Sequence, residues 1–310
     1  MSGLSSEIKI GIVGLDSSHA PKYTELLQDT SHPHHVSGGR IVAAYAGGSD
    51  NWELSYARLP GFRAEMADRF DVPIHDSIEA VAEASDALMI LSVDGRVHRA
   101  QFETVTTAAP GKPIYVDKPL ACAKSEAQAM AGRAAASDTP VFSSSVWRFA
   151  PGVIKAQAAM AGGSQKAKLH GMWPLHPGLH GWAFYGVHHI ELLYALMGSG
   201  CERVRCENEG SHETITGYWP HGRTGTITTD HEKETPFAGE ITGGDGQPLA
   251  LDLEVTISEL YSAFLTKALE FFRGDPVPVP LTETCETIAF LESAWRSRES
   301  AGEVMPLPSC

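Results

Sequence analysis

Through the first half of the chain, short runs of consecutive aliphatic residues alternate with stretches whose apolar positions recur at helical spacing. Ile8 to Gly14 reads IKIGIVG, a strand closing on glycine. Ser17-Ser18-His19 then opens an amphipathic stretch that runs through Leu26 and Leu27. A polar segment from Gln28 to Gly39, with His32, His34 and His35, leads to a second strand over Arg40 to Tyr45 and the turn Ala46-Gly47-Gly48-Ser49. The same alternation predicts helices over 61–70, 77–84, 97–108 and 125–136, and strands over 72–74, 86–93, 113–116 and 141–144. The run from Asp86 to Val93 (DALMILSV) is continuously apolar from Ala87 to Leu91, the character of a parallel strand buried on both faces. Strands alternating with helices predict a doubly wound parallel sheet of the Rossmann type over residues 1–139, with ligands beyond the carboxyl ends of its strands.

Beyond residue 140 the pattern changes. Strand candidates lengthen (168–173, 203–207, 213–219, 224–229 and 249–255) and many are joined by turns containing Gly, Asp or His, which implies hairpins. Helices are predicted over Val187 to Met197, closed by Gly198, then Ile257 to Phe272 and Glu283 to Ser300. Residues 140–310 therefore read as a C-terminal α+β domain whose mainly antiparallel sheet is covered by those helices on one face and open on the other. Ile215, Tyr218, Ile227, Leu251 and Leu253 are more apolar residues than one buried face readily holds. The open face is accordingly expected to join copies of the chain into a homodimer or homotetramer.

A formal net charge of −14 opposes binding to a nucleic acid or an anionic membrane surface, and a small neutral substrate fits better. Cys122, Cys201, Cys206, Cys285 and Cys310 are odd in number and widely spaced, so they read as free thiols in a reducing compartment. With a polar N-terminus and no apolar run of membrane-spanning length, the expected location is the cytoplasm.

A strand, a glycine turn and a helix N-terminus together make a pyrophosphate seat, because free amides and the helix dipole both favour an anion there. Gly11, Gly14, Leu15, Asp16 and Ser17 form that segment here. The full GxGxxG pattern also needs glycine at Asp16 and His19, which this chain lacks, and a ligand-free tight turn with Asp16 capping the helix is the competing reading. At the end of the second strand, the acidic residue that selects NAD falls on Ala46. Gly47, Gly48 and Ser49 can instead accept a 2'-phosphate, so NAD and NADP both stay open.

Lys118, in Asp117-Lys118-Pro119, follows a parallel strand at the end where a cofactor's reactive ring would lie. A lysine desolvated there can hydrogen-bond a substrate hydroxyl and help move its proton; a surface lysine before a loop proline is the alternative. His188 and His189 open an amphipathic helix, and a neutral imidazole there can take a proton from an alcohol, though one of the two serves as a cap or core residue. The five histidines between His170 and His189 have neither an HExxH pattern nor a cysteine partner, so no metal is assigned. Trp173 and Trp182, flanking His176 and His180, suit a carbohydrate pocket, with core tryptophans as the alternative.

Taken together, these residues resemble the Gfo/Idh/MocA family, named for glucose-fructose oxidoreductase, inositol dehydrogenase and a rhizopine-catabolism protein. The landmarks are Ile10 to Asp16, Asp117-Lys118-Pro119-Leu120, the loop from Ser92 to His98, Ser145 to Phe149, and Gly186-Val187-His188. The resemblance implies an NAD- or NADP-dependent oxidoreductase that transfers hydride to or from a hydroxyl carbon of a sugar, glycoside or polyol. It implies Lys118 and His188 as catalytic residues, with Tyr185 beside the substrate. It also implies cofactor contacts from Ser92, Val93, Asp94, His98, Asp117 and Arg148. Phe184 stands where the family has the aspartate of Asp-x-x-x-His. Two other readings share the fold: internal redox on tightly held NAD, giving glycoside cleavage or epimerisation, and a non-catalytic nucleotide or sugar sensor.

Overall fold

A computed structural model describes residues 7–160, 163–173, 175 and 182–308 of the chain. It divides into two compact units. The first runs to Ala121 and includes residues 126–143 and 256–281; the second takes 122–125, 144–255 and the chain from Thr282 onward.

The first unit is built on a six-stranded parallel sheet in the order β3-β2-β1-β4-β5-β6. Its strands are β1 (Ile8–Val13), β2 (Gly39–Tyr45), β3 (Ile74–His75), β4 (Ala87–Ile90), β5 (Ile114–Val116) and β6 (Val141–Ser143). The helices α1 (His19–Gln28), α2 (Glu53–Asp68), α3 (Ile78–Ala84), α4 (Gly95–Ala108) and α5 (Lys124–Ala136) alternate with them. Every residue of β4 and β5 is buried, as continuous apolar runs require of central parallel strands. Strand order reverses between β1 and β4, which is where a doubly wound sheet opens its ligand crevice. Helix α2 begins at Glu53 instead of the expected Gly61: Pro60 and Gly61 lie inside it, and with only Ser55 and Met66 buried it has little apolar stripe to read.

In the second unit a seven-stranded sheet runs β12-β11-β7-β10-β9-β8-β13, antiparallel except at the β7/β10 pair. The strands are β7 (Lys166–His170), β8 (Arg203–Glu209), β9 (His212–Tyr218), β10 (Thr224–Asp230), β11 (Ala238–Thr242), β12 (Pro248–Ala250) and β13 (Met305–Pro306). Helices α6 (Pro151–Ala159), α7 (Gly186–Met197) and α9 (Leu281–Glu299) belong with it, while α8 (Ile257–Phe272) does not. Strand β11 is too polar to read in sequence, and of the expected 249–255 strand only the first residues pair.

Two expectations are corrected. Helix α8 packs on the first unit: Phe264 lies 4.7 Å from the Tyr115 ring, 5.2 Å from Tyr23 and 6.4 Å from Phe142. Amphipathic spacing shows that a helix has an apolar face and not which sheet receives it. Second, Ile215 and Ile227, paired across β9 and β10, are fully buried, on the face where Leu193 of α7 closes over Gly225 and Phe290 of α9 over Gly217. Leu251 and Leu253 are buried as well, and Tyr218 is half-buried. The open face instead carries Thr214, Thr216, Thr224, Thr226 and Thr228, with the half-buried Tyr218 paired to Thr224.

Candidate active site

In the first unit the chain leaves β1 at Gly14 with φ of +101°. A Cβ there would stand 2.4 Å from the Ser92 backbone nitrogen, so only glycine lets this turn lie against the end of β4. Gly11 has a different reason: a Cβ on it would meet Ser85 Oγ at 2.4 Å and Val81 Cγ1 at 2.6 Å, which makes it a packing position for α3 and the residue after it rather than a ligand contact. The Gly14 and Leu15 amides donate to the carbonyls of Tyr45 and Ala46 at 3.0 and 2.7 Å, extending the β1–β2 ladder into the turn. Leu15 is core. Gly47 and Gly48 also have positive φ, and a Cβ on Gly47 would be 3.0 Å from Gly14 Cα, so the turn after β2 leans on the turn after β1.

One carboxylate ties these loops together. Asp16 is fully buried; its Oδ2 accepts the Ser55 hydroxyl at 2.6 Å and its Oδ1 the Val93 amide at 3.2 Å. Ser55 Oγ in turn accepts the Ser49 amide at 2.7 Å. Burial raises the Asp16 carboxyl, against the pull of Ser55 and Val93. Asp16 therefore does not cap α1, as the alternative reading had it; the nearby Ser17 Oγ accepts the His19 amide.

The loop after β4 is equally self-bonded. Ser92 Oγ accepts from Gln101 Nε2 at 2.8 Å, and the His98 ring lies between the carbonyl oxygens of Ser92 (2.7 Å) and Pro119 (2.9 Å). Asp94 caps α4 through the Arg96 amide at 3.0 Å and grips the Arg96 guanidinium from 2.8 Å. Burial opposes its charge, yet Arg96 and Ser49 hold it below the usual carboxylate range.

At the end of β5, Asp117 is buried and accepts His19 Nδ1 at 2.6 Å, the Lys118 amide at 2.8 Å and the Tyr115 hydroxyl at 3.0 Å. Burial alone would raise this carboxyl, but His19, Lys118 and these bonds hold it well below the ordinary range. His19 sits where GxGxxG has its last glycine, and it was not singled out in sequence. Lys118 is half-buried, and burial lowers its ammonium against the opposing charge of Asp117. It is thus nearer the neutral, proton-accepting form than an ordinary lysine.

In the second unit His188, in the first turn of α7, pairs through Nδ1 with Ser145 Oγ at 2.7 Å, and Ser145 Oγ also accepts the Trp147 amide. Phe184, four residues before His188, carries no carboxylate, and Ser145 supplies a polar partner from far back in sequence. The exposed Tyr185 ring lies 5.9 Å from His188. Arg148 is buried with its guanidinium committed to Glu191 and, at 2.6 Å, to Glu283, a triad internal to this unit that accounts for its burial without a cofactor. Trp173 and Trp182 are core residues: both are fully buried, 5.8 Å apart, with Trp295 and His189 against them, and neither leaves a face for a sugar. His189 is buried too, and desolvation drives its pKa down to about 3, so it is the structural member of the histidine pair. His176 and His180 lie outside the described residues.

No family model matches the chain, and no curated protein matches it in sequence. Solved structures do match in fold. A probable dehydrogenase from Thermotoga maritima superposes with a TM-score of 0.78 at 16% identity, over 97% of this chain and 99% of its own. The myo-inositol dehydrogenase from Lactobacillus casei, in complex with NAD(H) and myo-inositol, gives 0.77 at 13% identity over 98% of each chain. An oxidoreductase from Agrobacterium radiobacter in complex with NAD+, L-tartaric acid and magnesium gives 0.74 at 15%, over 97% of this chain and 99% of its own. At these identities the likeness establishes the fold.

The residues around the crevice fit a dinucleotide incompletely. Gly14 makes the tight turn, α1 begins just beyond it, and Lys118 stands at the end of β5. The second glycine of GxGxxG exists so that backbone can approach the pyrophosphate. Here that position is Asp16, whose side chain fills the space and brings an acidic group to it.

Proposed function

We propose that the protein is an oxidoreductase acting on a hydroxyl-bearing carbon of a sugar, glycoside or polyol, with NAD or NADP as the hydride carrier. The observation that carries the reading is Lys118: a half-buried lysine with a lowered pKa, anchored through Asp117 at the carboxyl end of a parallel strand of a doubly wound sheet. Support also comes from fold neighbours that include dehydrogenases, one of them in complex with NAD(H) and myo-inositol. When bound, the nicotinamide would supply the hydride chemistry. Lys118 hydrogen-bonds the reacting hydroxyl and takes or returns its proton; within the second unit, Ser145 orients the His188 ring. A second reading, a non-catalytic binder of the same molecules, is favoured by Phe184 in place of a carboxylate beside His188.

The test combines nucleotide titration with a screen of sugars and polyols. Oxidised and reduced NAD and NADP are titrated while thermal shift and nucleotide fluorescence are followed, and turnover is then measured on Lys118→Met. The variant is expected to keep nucleotide affinity and lose turnover by about a hundredfold or more. Full activity in Lys118→Met on a substrate of the wild type would remove Lys118 from the mechanism, and nucleotide binding without any turnover in the wild type would favour the second reading.

A further inference from the structure

We infer that Asp16 is a built-in occupant of the pyrophosphate seat, and that a dinucleotide diphosphate binds only when this side chain is neutralised or turned out of the crevice. The inference rests on the dinucleotide reading and adds a residue that sets the strength of binding.

Three observations converge on it. Asp16 occupies the motif position at which a side chain is least tolerated, since there the backbone itself must approach the diphosphate. Its carboxylate does not turn to solvent. It reaches across the switch point between β1 and β4 to the Val93 amide, and on the other side takes the Ser55 hydroxyl. The loop after β2 closes around it: a Cβ on Gly48 would lie 3.0 Å from Ser55 Oγ and 3.4 Å from Asp16 Oδ2. Asp16 thus stitches three loops at the carboxyl edge of the sheet with the group a diphosphate would otherwise present there, an oxyanion. A second anion brought to the same place meets both steric occupation and like-charge repulsion in a desolvated setting.

Protonation is one way out. Burial already favours the neutral acid, and a neutral carboxyl can donate to a diphosphate oxygen where the carboxylate only repels it. The surrounding groups are few. From α2 comes the neutral Ser55, from the loop after β2 the neutral Gly48 and Ser49, and from the loop after β4 the Val93 amide. His98 of α4 acts on Asp16 through charge and favours the carboxylate. Asp94 is closed by Arg96 at the start of α4, and His19 of α1 by Asp117. A variant lacking the Asp16 charge is the control for the pH test.

The experiment measures affinity for NAD+, NADH, NADP+ and NADPH by calorimetry and fluorescence from pH 8 down to pH 5, on wild type, Asp16→Gly and Asp16→Asn. Asp16→Gly restores the motif residue, and Asp16→Asn keeps the size and the Ser55 and Val93 contacts should the glycine variant fail to fold. Both variants are expected to bind the preferred nucleotide about tenfold or more tightly than wild type at pH 8. Wild-type affinity is expected to rise as pH falls, and that of Asp16→Asn to stay flat. If wild type binds and the variants bind equally or more weakly, Asp16 is no obstacle and this inference is overturned while the dinucleotide reading stands. If neither wild type nor any folded variant binds any of the four nucleotides, the dinucleotide reading falls, and this inference with it.

Discussion

Asp117 shows how much a single buried carboxylate organises here. It gathers His19 from α1, Tyr115 from β5 and the amide of Lys118, so the turn after β1 and the candidate catalytic lysine share one anchor. Its folded pKa lies below the unfolded value, and such a group contributes stability that is present above about pH 4 and is lost as pH falls through the folded value. Asp117→Asn removes that contribution. The wild type is therefore expected to melt higher than the variant by an amount that is constant above about pH 5 and shrinks in more acidic solution. A melting difference that grows on acidification would show that the carboxylate is not held by these partners. At this scale the sequence was informative where chemistry is local: Lys118 at a strand end and His188 at a helix start are where they were expected. It gave no partner to His19 or Ser145, because each finds its partner far along the chain, 98 and 43 residues away, and no spacing rule links them. Trp173 and Trp182 misled for a related reason, since an indole that stacks on a sugar and one that fills a core look alike until burial is known.

At the scale of elements, alternation of period two and period 3.6 was enough to recover all six parallel strands in order, because β4 and β5 are buried throughout, β1 is apolar but for Lys9, and crossover helices alternate with the strands. The strands missed were the two-residue β13 and β11, whose four half-buried residues and single buried Ile241 carry no apolar alternation. The helix misplaced was α8, and its true seat yields a test. Phe264 joins the rings of Tyr23, Tyr115 and Phe142, and Leu269 packs where Gly39 leaves room. Phe264→Ala removes a fully buried ring and is expected to cost about 3–5 kcal/mol. In hydrogen exchange the loss of protection should fall on α1, β5 and β6, with β9 and β10 little changed. Loss concentrated in β9 and β10 instead would return α8 to the second sheet.

The whole molecule poses the question of the uncovered face of the second sheet. The original reason for expecting an oligomer was an excess of apolar strand residues, and that reason is gone, since Ile215 and Ile227 lie beneath α7 and α9. What remains is a different surface. Thr214, Thr216, Thr224, Thr226 and Thr228 stand in paired rows on β9 and β10, Thr216 and Thr226 touching at 3.4 Å between hydroxyls, with Lys168 paired to Glu240 beyond them. β-Branched residues in register make a flat, stiff surface with little side-chain entropy to lose on contact, suited to a wet, polar interface rather than a greasy one. A second copy presenting the same rows about a twofold axis is the partner this surface suits. Light scattering at micromolar concentration is expected to give twice or four times the mass of one chain. Thr226→Lys, which places a charge amid the rows without touching the core, is expected to give the mass of one chain with an unchanged circular dichroism spectrum and a melting temperature that no longer depends on concentration. A wild type that stays at the mass of one chain at every concentration, with or without nucleotide, would leave the threonine face to solvent.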